Sequence, residues 1–278
     1  MKVFISADME GATGAVDWDD VMPGKRQYER FRRLLTGDVN AAIGGAFEGG
    51  ADEVVINEAH DGMMNILIEE LPEEVSMISG HDGKGMGMME GIDGGFDAAF
   101  LVAYHAMEGT TAAIMNHTWS PTLIRKVWLG DLRVGELGLS AHIAGHYDIP
   151  VALVTGDDKV AREAVALLGD VETAVVKHGI SRYAARCLTP AKTAKLIREA
   201  ARRAVERRGE LRPFKPAYPM EVRIEFMSAL QASNVSRAPG FALVDPTTVS
   251  FACGDALDAN TKLSEVFRGR DRVFGPIP

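Results

Sequence analysis

Up to about residue 180, short apolar runs alternate with longer stretches in which apolar positions recur every three or four residues. The runs at 2–7 (KVFISA), 53–57 (EVVIN), 75–79 (VSMIS), 98–104 (AAFLVAY), 151–156 (VALVTG) and 173–176 are short and mostly apolar, as buried strands are. Residues 25–48 place Tyr28, Phe31, Leu34, Leu35, Val39 and Ala42 at helical spacing, and Glu48-Gly-Gly stops the pattern. Further helices are expected at 137–146 and 159–168, with shorter ones at 65–71 and 86–90. A turn at Gly130-Asp131 between 123–129 and 132–134 predicts a hairpin.

Strand–helix alternation implies an α/β fold, a mostly parallel Rossmann-like sheet with helices on both faces. The later chain changes character. A basic amphipathic helix spans 190–208, prolines follow at Pro213, Pro216 and Pro219, and strands at 222–226, 241–244 and 248–252 precede a closing helix. These features predict a catalytic domain over 1–188 and a smaller α+β C-terminal domain over 189–278.

The 278 residues carry 30 basic and 39 acidic side chains, a net charge of −9, which does not suit a nucleic-acid partner. The two cysteines, Cys187 and Cys253, form no CxxC pair, so neither a disulfide scaffold nor a thiolate zinc site is expected. The N-terminal apolar run is cut at Asp8 and Glu10, and no stretch approaches the ~20 apolar residues of a membrane span. The expectation is a soluble cytoplasmic protein with no membrane partner.

In an open parallel sheet, ligands bind beyond the carboxyl ends of the strands. Here the first strand ends at Asp8 with Glu10 two residues on, the second at His60, the fourth at His105, and a helix starts near Glu136. Taken singly, an acid there is often a helix cap and a histidine often a buried, satisfied residue. Agreement among independent strand ends favours a metal site. Mixed nitrogen and oxygen donors suit zinc, and five ligands, three of them anionic, suit a pair of ions sharing a carboxylate. His117, in a loop near the same end, is a candidate proton shuttle.

Three other features are weaker. His142 and His146 have the spacing of a zinc-protease helix but lack its glutamate, and an exposed or interface helix face is the expectation. The Gly85-Met-Gly87 loop does not complete a phosphate-binding motif, so Met86, Met88 and Met89 are read as core or pocket lining. Lys84 could meet a substrate carboxylate, although a solvated lysine is commoner.

Ser6-Ala-Asp-Met-Glu-Gly11, Asn57-Glu-Ala-His60, Tyr104-His105, Met115-Asn-His117 and Val134-Gly-Glu-Leu-Gly-Leu139 together resemble the motif set of the DppA-type D-aminopeptidases. So do the stretches at 150–158 and 187–192. The resemblance covers about residues 1–200 and is loose beyond. It implies a dinuclear zinc enzyme that removes N-terminal, often D-configured, residues from short peptides. It marks Asp8 as the bridging ligand, with Glu10, His60, His105 and Glu136 completing a site for two zinc ions. It marks His117 as the catalytic residue, described in the family as a nucleophile. It implies self-association into a ring-like homo-oligomer, with a decamer as the family's form. One residue between His105 and His117 and Gly83 stand as insertions. Glu58 and Ala59 replace a smaller acid and a hydroxyl residue, changes expected to touch specificity. Two rivals stay open on the residues alone: a metal-dependent hydrolase of another amide or ester, and a non-catalytic Rossmann-like binding protein.

Overall fold

The structure is a computed structural model that describes residues 1–81 and 84–268; Gly83 lies outside the described residues. In chain order the elements are β1 (Lys2–Ala7), α1 (Trp18–Val21), α2 (Tyr28–Glu48), β2 (Glu53–Glu58), β3 (Ser76–Ile78), β4 (Ala98–Tyr104), β5 (Ile124–Leu129), β6 (Leu132–Val134), α3 (Glu136–His146), β7 (Val151–Asp157), α4 (Asp158–Leu168), β8 (Glu172–Ser181), β9 (Ala184–Cys187), α5 (Pro190–Glu206), β10 (Met220–Phe226), α6 (Ala229–Val235), β11 (Ala242–Asp245), β12 (Thr248–Cys253) and α7 (Ala256–Arg268).

Seven strands form one sheet in the order β3-β2-β1-β4-β7-β8-β9, parallel except for the edge strand β9. From β1 the chain builds outward through β2 and β3. It then returns to lay β4 against β1's other side and builds outward again. The strand order therefore reverses between β1 and β4, and their carboxyl ends open a crevice. The two-residue period of a strand sorts the core into two layers. Val3 and Ile5 of β1 face the layer of α2 and α5, whereas Phe4 faces that of α3 and α4. Helices α2 and α5 approach closely because position 45 is glycine, where a Cβ would sit 2.1 Å from the Arg198 carbonyl oxygen.

The second sheet is antiparallel, ordered β11-β12-β10-β5-β6, with apolar residues of α6 and α7 in its core. A division at residue 188 does not coincide with the division between the sheets. The hairpin β5–β6 comes from before it yet pairs with β10, and α5 comes from after it yet covers the larger sheet.

The expected helices at 65–71 and 86–90 are single 3-10 turns, Ile68–Glu70 and Gly87–Met89. Strand β9 and the short helices α1 and α6 were not expected from periodicity. No helix among the described residues is long and apolar enough to cross a membrane.

Candidate metal centre

The crevice is shaped first by backbone. The Asp8 amide donates to the Val102 carbonyl (2.9 Å) and the Gly11 amide to the Ala103 carbonyl (2.7 Å), which binds the turn after β1 to the end of β4. A Cβ at position 11 would lie 2.0 Å from the Tyr104 carbonyl oxygen, so only glycine permits this approach. Opposite it, Ala103 has φ +59° at a break in the β4–β7 register, and its amide donates to Thr155 Oγ1 (2.8 Å). Such a bulge re-aims the side chains beyond it, and His105 is two residues on.

Asp8 turns its two oxygens to different partners. Oδ1 lies 3.4 Å from His60 Nδ1, and Oδ2 lies 3.5 Å from His105 Nε2. Glu10 Oε2 is 2.9 Å from the same His60 nitrogen, and Glu136 Oε2 is 3.3 Å from the same His105 nitrogen. His117 Nε2 stands 3.8 Å from Glu10 Oε1 and 3.6 Å from Glu136 Oε1. All six side chains are buried.

Each imidazole spends its other nitrogen on a backbone carbonyl. His60 Nε2 donates to Val21 (2.9 Å), His105 Nδ1 to Ala106 (3.1 Å) and His117 Nδ1 to Met115 (2.8 Å). Those bonds turn the other nitrogen of each ring inward, where the neutral ring offers a metal its lone pair. Glu136 is the first residue of α3, where the helix dipole favours a carboxylate, and its Oε1 accepts the Trp119 amide (2.6 Å). Trp119 itself has φ +58°, a strained conformation for a bulky residue.

The electrostatics match this crowding. Burial, reinforced by the Glu10 charge, pushes Asp8 up to about 7. Burial also pushes on Glu10, but the His60 ring beside it wins and holds the carboxyl well below its usual range. His60 and His105 resist the same burial because Glu10 and Glu136, respectively, draw them well above an ordinary histidine. His117 goes the other way: burial, then the His105 charge, pulls it down.

Three buried carboxylates so close together need positive charge. Asp8 Oδ2, Glu10 Oε2 and His105 Nε2 are buried without a hydrogen-bond partner, a state that costs stability unless a cation completes it. Their donor atoms fall into overlapping sets fit for a metal: Asp8–Glu10–His60, Asp8–His105–Glu136 and Glu10–His105–His117. Nitrogen and carboxylate donors of this kind fit zinc.

The His117 loop is tied down at every step. The Ile114 amide donates to Asp157 Oδ2 (2.9 Å), the Met115 amide to the Arg182 carbonyl (2.9 Å), and Arg182 Nη2 to the Asn116 carbonyl (2.8 Å). The Trp18 ring meets the His117 ring edge-on at 5.3 Å.

Other expectations resolve differently. His142 is buried, not on an exposed face, and is hydrogen-bonded to the Tyr218 hydroxyl; His146 is exposed. Neither belongs to a metal-competent group among the described residues. Lys84 pairs with Asp93 (2.5 Å) at the surface. Met86, Met88 and Met89 are core. Glu58 accepts the amides of Asn65 (2.8 Å) and Ile66 (2.6 Å), so it latches the turn after His60.

A sequence profile of the family Peptidase M55, described as D-aminopeptidase, matches residues 1–264. The chain is 40% identical over 260 residues to a D-aminopeptidase of Bacillus subtilis (strain 168), covering 93% of this chain and 94% of that one. Its fold is similar to the solved structure of "Zn-dependent D-aminopeptidase DppA from Bacillus subtilis, a self-compartmentalizing protease". That match has a TM-score of 0.93 at 39% identity and covers 96% of this chain and 97% of the other. The chain belongs to the Peptidase M55 family of D-aminopeptidases.

Proposed function

We propose that the chain is a zinc-dependent aminopeptidase that removes N-terminal, D-configured residues from short peptides, with two zinc ions per subunit. The observation that carries this reading is the split of Asp8, whose two oxygens serve two different donor sets, one with Glu10 and His60 and one with His105 and Glu136. Zinc, when bound, supplies Lewis acidity toward a carbonyl oxygen and acidifies water toward neutrality.

The chain's own groups do the rest. Glu10 and Glu136 are anionic and face the crevice, where either can hold the free ammonium of a peptide's N-terminus. His117 is kept neutral by burial and by His105, and its Nδ1–H is committed to the Met115 carbonyl. Its Nε2 is therefore a base, set to take a proton in the attack step and return it to the leaving amine. We prefer this proton-transfer role over direct attack by His117 on the carbonyl. The buried site suits short substrates with a free end.

The relative described as self-compartmentalizing supports a homo-oligomer here also, with a ring-like decamer as the form the family resemblance suggests. The smaller sheet offers a surface for it: β11 is an edge strand with Leu243 and Val244 exposed. The basic residues of α5 support it less, because Arg198 pairs with Glu48, and Arg203 with Glu172, of the same chain. Two unpaired cysteines, Cys187 and Cys253, suit the cytoplasm.

The test is release of amino acid from D-Ala-D-Ala with and without a chelator. Chelator-sensitive release supports the reading. Release that survives complete metal removal contradicts it, and so does hydrolysis of esters alone.

A further inference from the structure

Lys177 sits within β8 and is fully buried. Its Nζ lies 2.5 Å from the Glu10 carbonyl oxygen, 2.8 Å from that of Ala12 and 2.6 Å from that of Ala15. An ammonium group has three hydrogens and no acceptor, so these carbonyls use its full capacity. A neutral amine, with two hydrogens, would leave one carbonyl unmet. The three acceptors belong to a single turn, the one that leaves β1 and carries Glu10.

That turn needs an anchor. With the His60 ring neutral, Glu10 Oε2 lies 2.9 Å from its Nδ1 but receives no hydrogen bond from it and is buried without a donor. Its placement against His60 and His117 therefore depends on the backbone that carries it. Gly11 ties one side of the turn to Ala103, and the far side is tied by Thr13, whose amide and hydroxyl donate to Asp38. Lys177 holds the middle. It also sets a positive charge directly behind a centre that gathers three carboxylates. A methionine of similar length could fill the same space but could hold none of the carbonyls.

We propose that Lys177 is a positioning residue for the metal centre: its ammonium clamps the turn that carries Glu10 and so sets the zinc affinity of the Glu10 side of the site. This rests on the zinc reading above.

The experiment is a double-mutant cycle on the full chain, comparing Lys177→Met, Glu10→Gln and the double variant. Zinc affinity of the metal-stripped proteins is measured by competition with a chromophoric chelator. Outer partners of metal ligands typically change affinity by about 10–100-fold, and Lys177→Met is expected to lose that much. If the lysine acts through Glu10, it adds less than about twofold once Glu10 is already changed. Equal losses in both backgrounds indicate a general structural role and overturn the proposal, as does unaltered zinc binding by Lys177→Met. If the methionine variant does not fold, Lys177→Gln, which keeps two N–H donors, carries the same cycle. Failure of both to fold in excess zinc overturns the proposal in favour of a scaffold role. A wild-type protein that takes up no zinc overturns the zinc reading and the clamp together, whereas zinc-binding wild type with an unaffected variant overturns the clamp alone.

Discussion

His105 and His117 stack face to face, with ring centroids 4.0 Å apart and planes 11° from parallel. The two rings share a wall of the crevice, yet their surroundings differ. His105 turns Nε2 between Asp8 and Glu136 at 3.5 and 3.3 Å, while His117 stands farther from its carboxylates, at 3.6 and 3.8 Å. The closer ring fits the proposed role of ligand and the looser one the proposed role of base.

That difference predicts different losses from the same truncation. His60→Ala and His105→Ala should lose zinc as well as rate. His117→Ala should keep its zinc and bind substrate almost normally, while kcat falls by the ~10²–10⁴-fold typical of a general acid–base group. Elemental analysis beside steady-state kinetics decides it. Zinc loss in His117→Ala would make this ring a ligand, and wild-type turnover would remove it from the chemistry.

Asp8→Ala should lose at least one zinc ion and nearly all activity, because the two donor sets of the proposed two-zinc site, Asp8–Glu10–His60 and Asp8–His105–Glu136, share this carboxylate. Full zinc occupancy in the purified variant would sink the bridging role.

His142 makes the opposite prediction. It belongs to no metal-competent group among the described residues, so changing His142 and His146 together to Ala should leave zinc content and turnover within about a few-fold, since large losses come from direct ligands and their supports. Stability should respond to acid instead. Burial pulls His142 from 6.5 down to about 4. Above pH 6.5 the ring is neutral folded or unfolded and costs nothing. As pH falls toward 4 the unfolded chain takes the proton first, and folding loses up to about 3 kcal/mol. Denaturant titration of the metal-free protein between pH 7 and 4 should show a flatter decline for His142→Gln than for the parent. Parallel curves would contradict this.

A homo-oligomer predicts a sedimenting species several times the 30.0 kDa chain mass at low concentration. A clean monomer would exclude a stable assembly.

Much of the larger sheet is legible in the chain because each buried parallel strand is a short apolar run that stops at a polar residue. Ala7, Glu58 and Tyr104 end their strands just before the residues that enter the crevice. Strand ends thus point to Asp8, His60 and His105 without a structure. The supports of these residues are not legible, because they are backbone. The carbonyls of Val21, Ala106 and Met115 that orient the imidazoles carry no side-chain signature. Lys177 is hidden for a related reason: a lysine in a strand reads as an exposed edge, and only the turn opposite makes it an anchor. Helix α6 could have been found, since Ser228 and Gln231 form a capping box. The pairing of β5–β6 with β10 joins segments about ninety residues apart, and no local pattern reports such a partner.

The most direct test of the two-zinc site is anomalous scattering from a crystal, measured on both sides of the zinc absorption edge. Two zinc peaks per chain are expected, about 3.5–4 Å apart, with Asp8 between them, Glu10 and His60 at one and His105 and Glu136 at the other. A single peak, or two peaks that do not share Asp8, would contradict the two-zinc site.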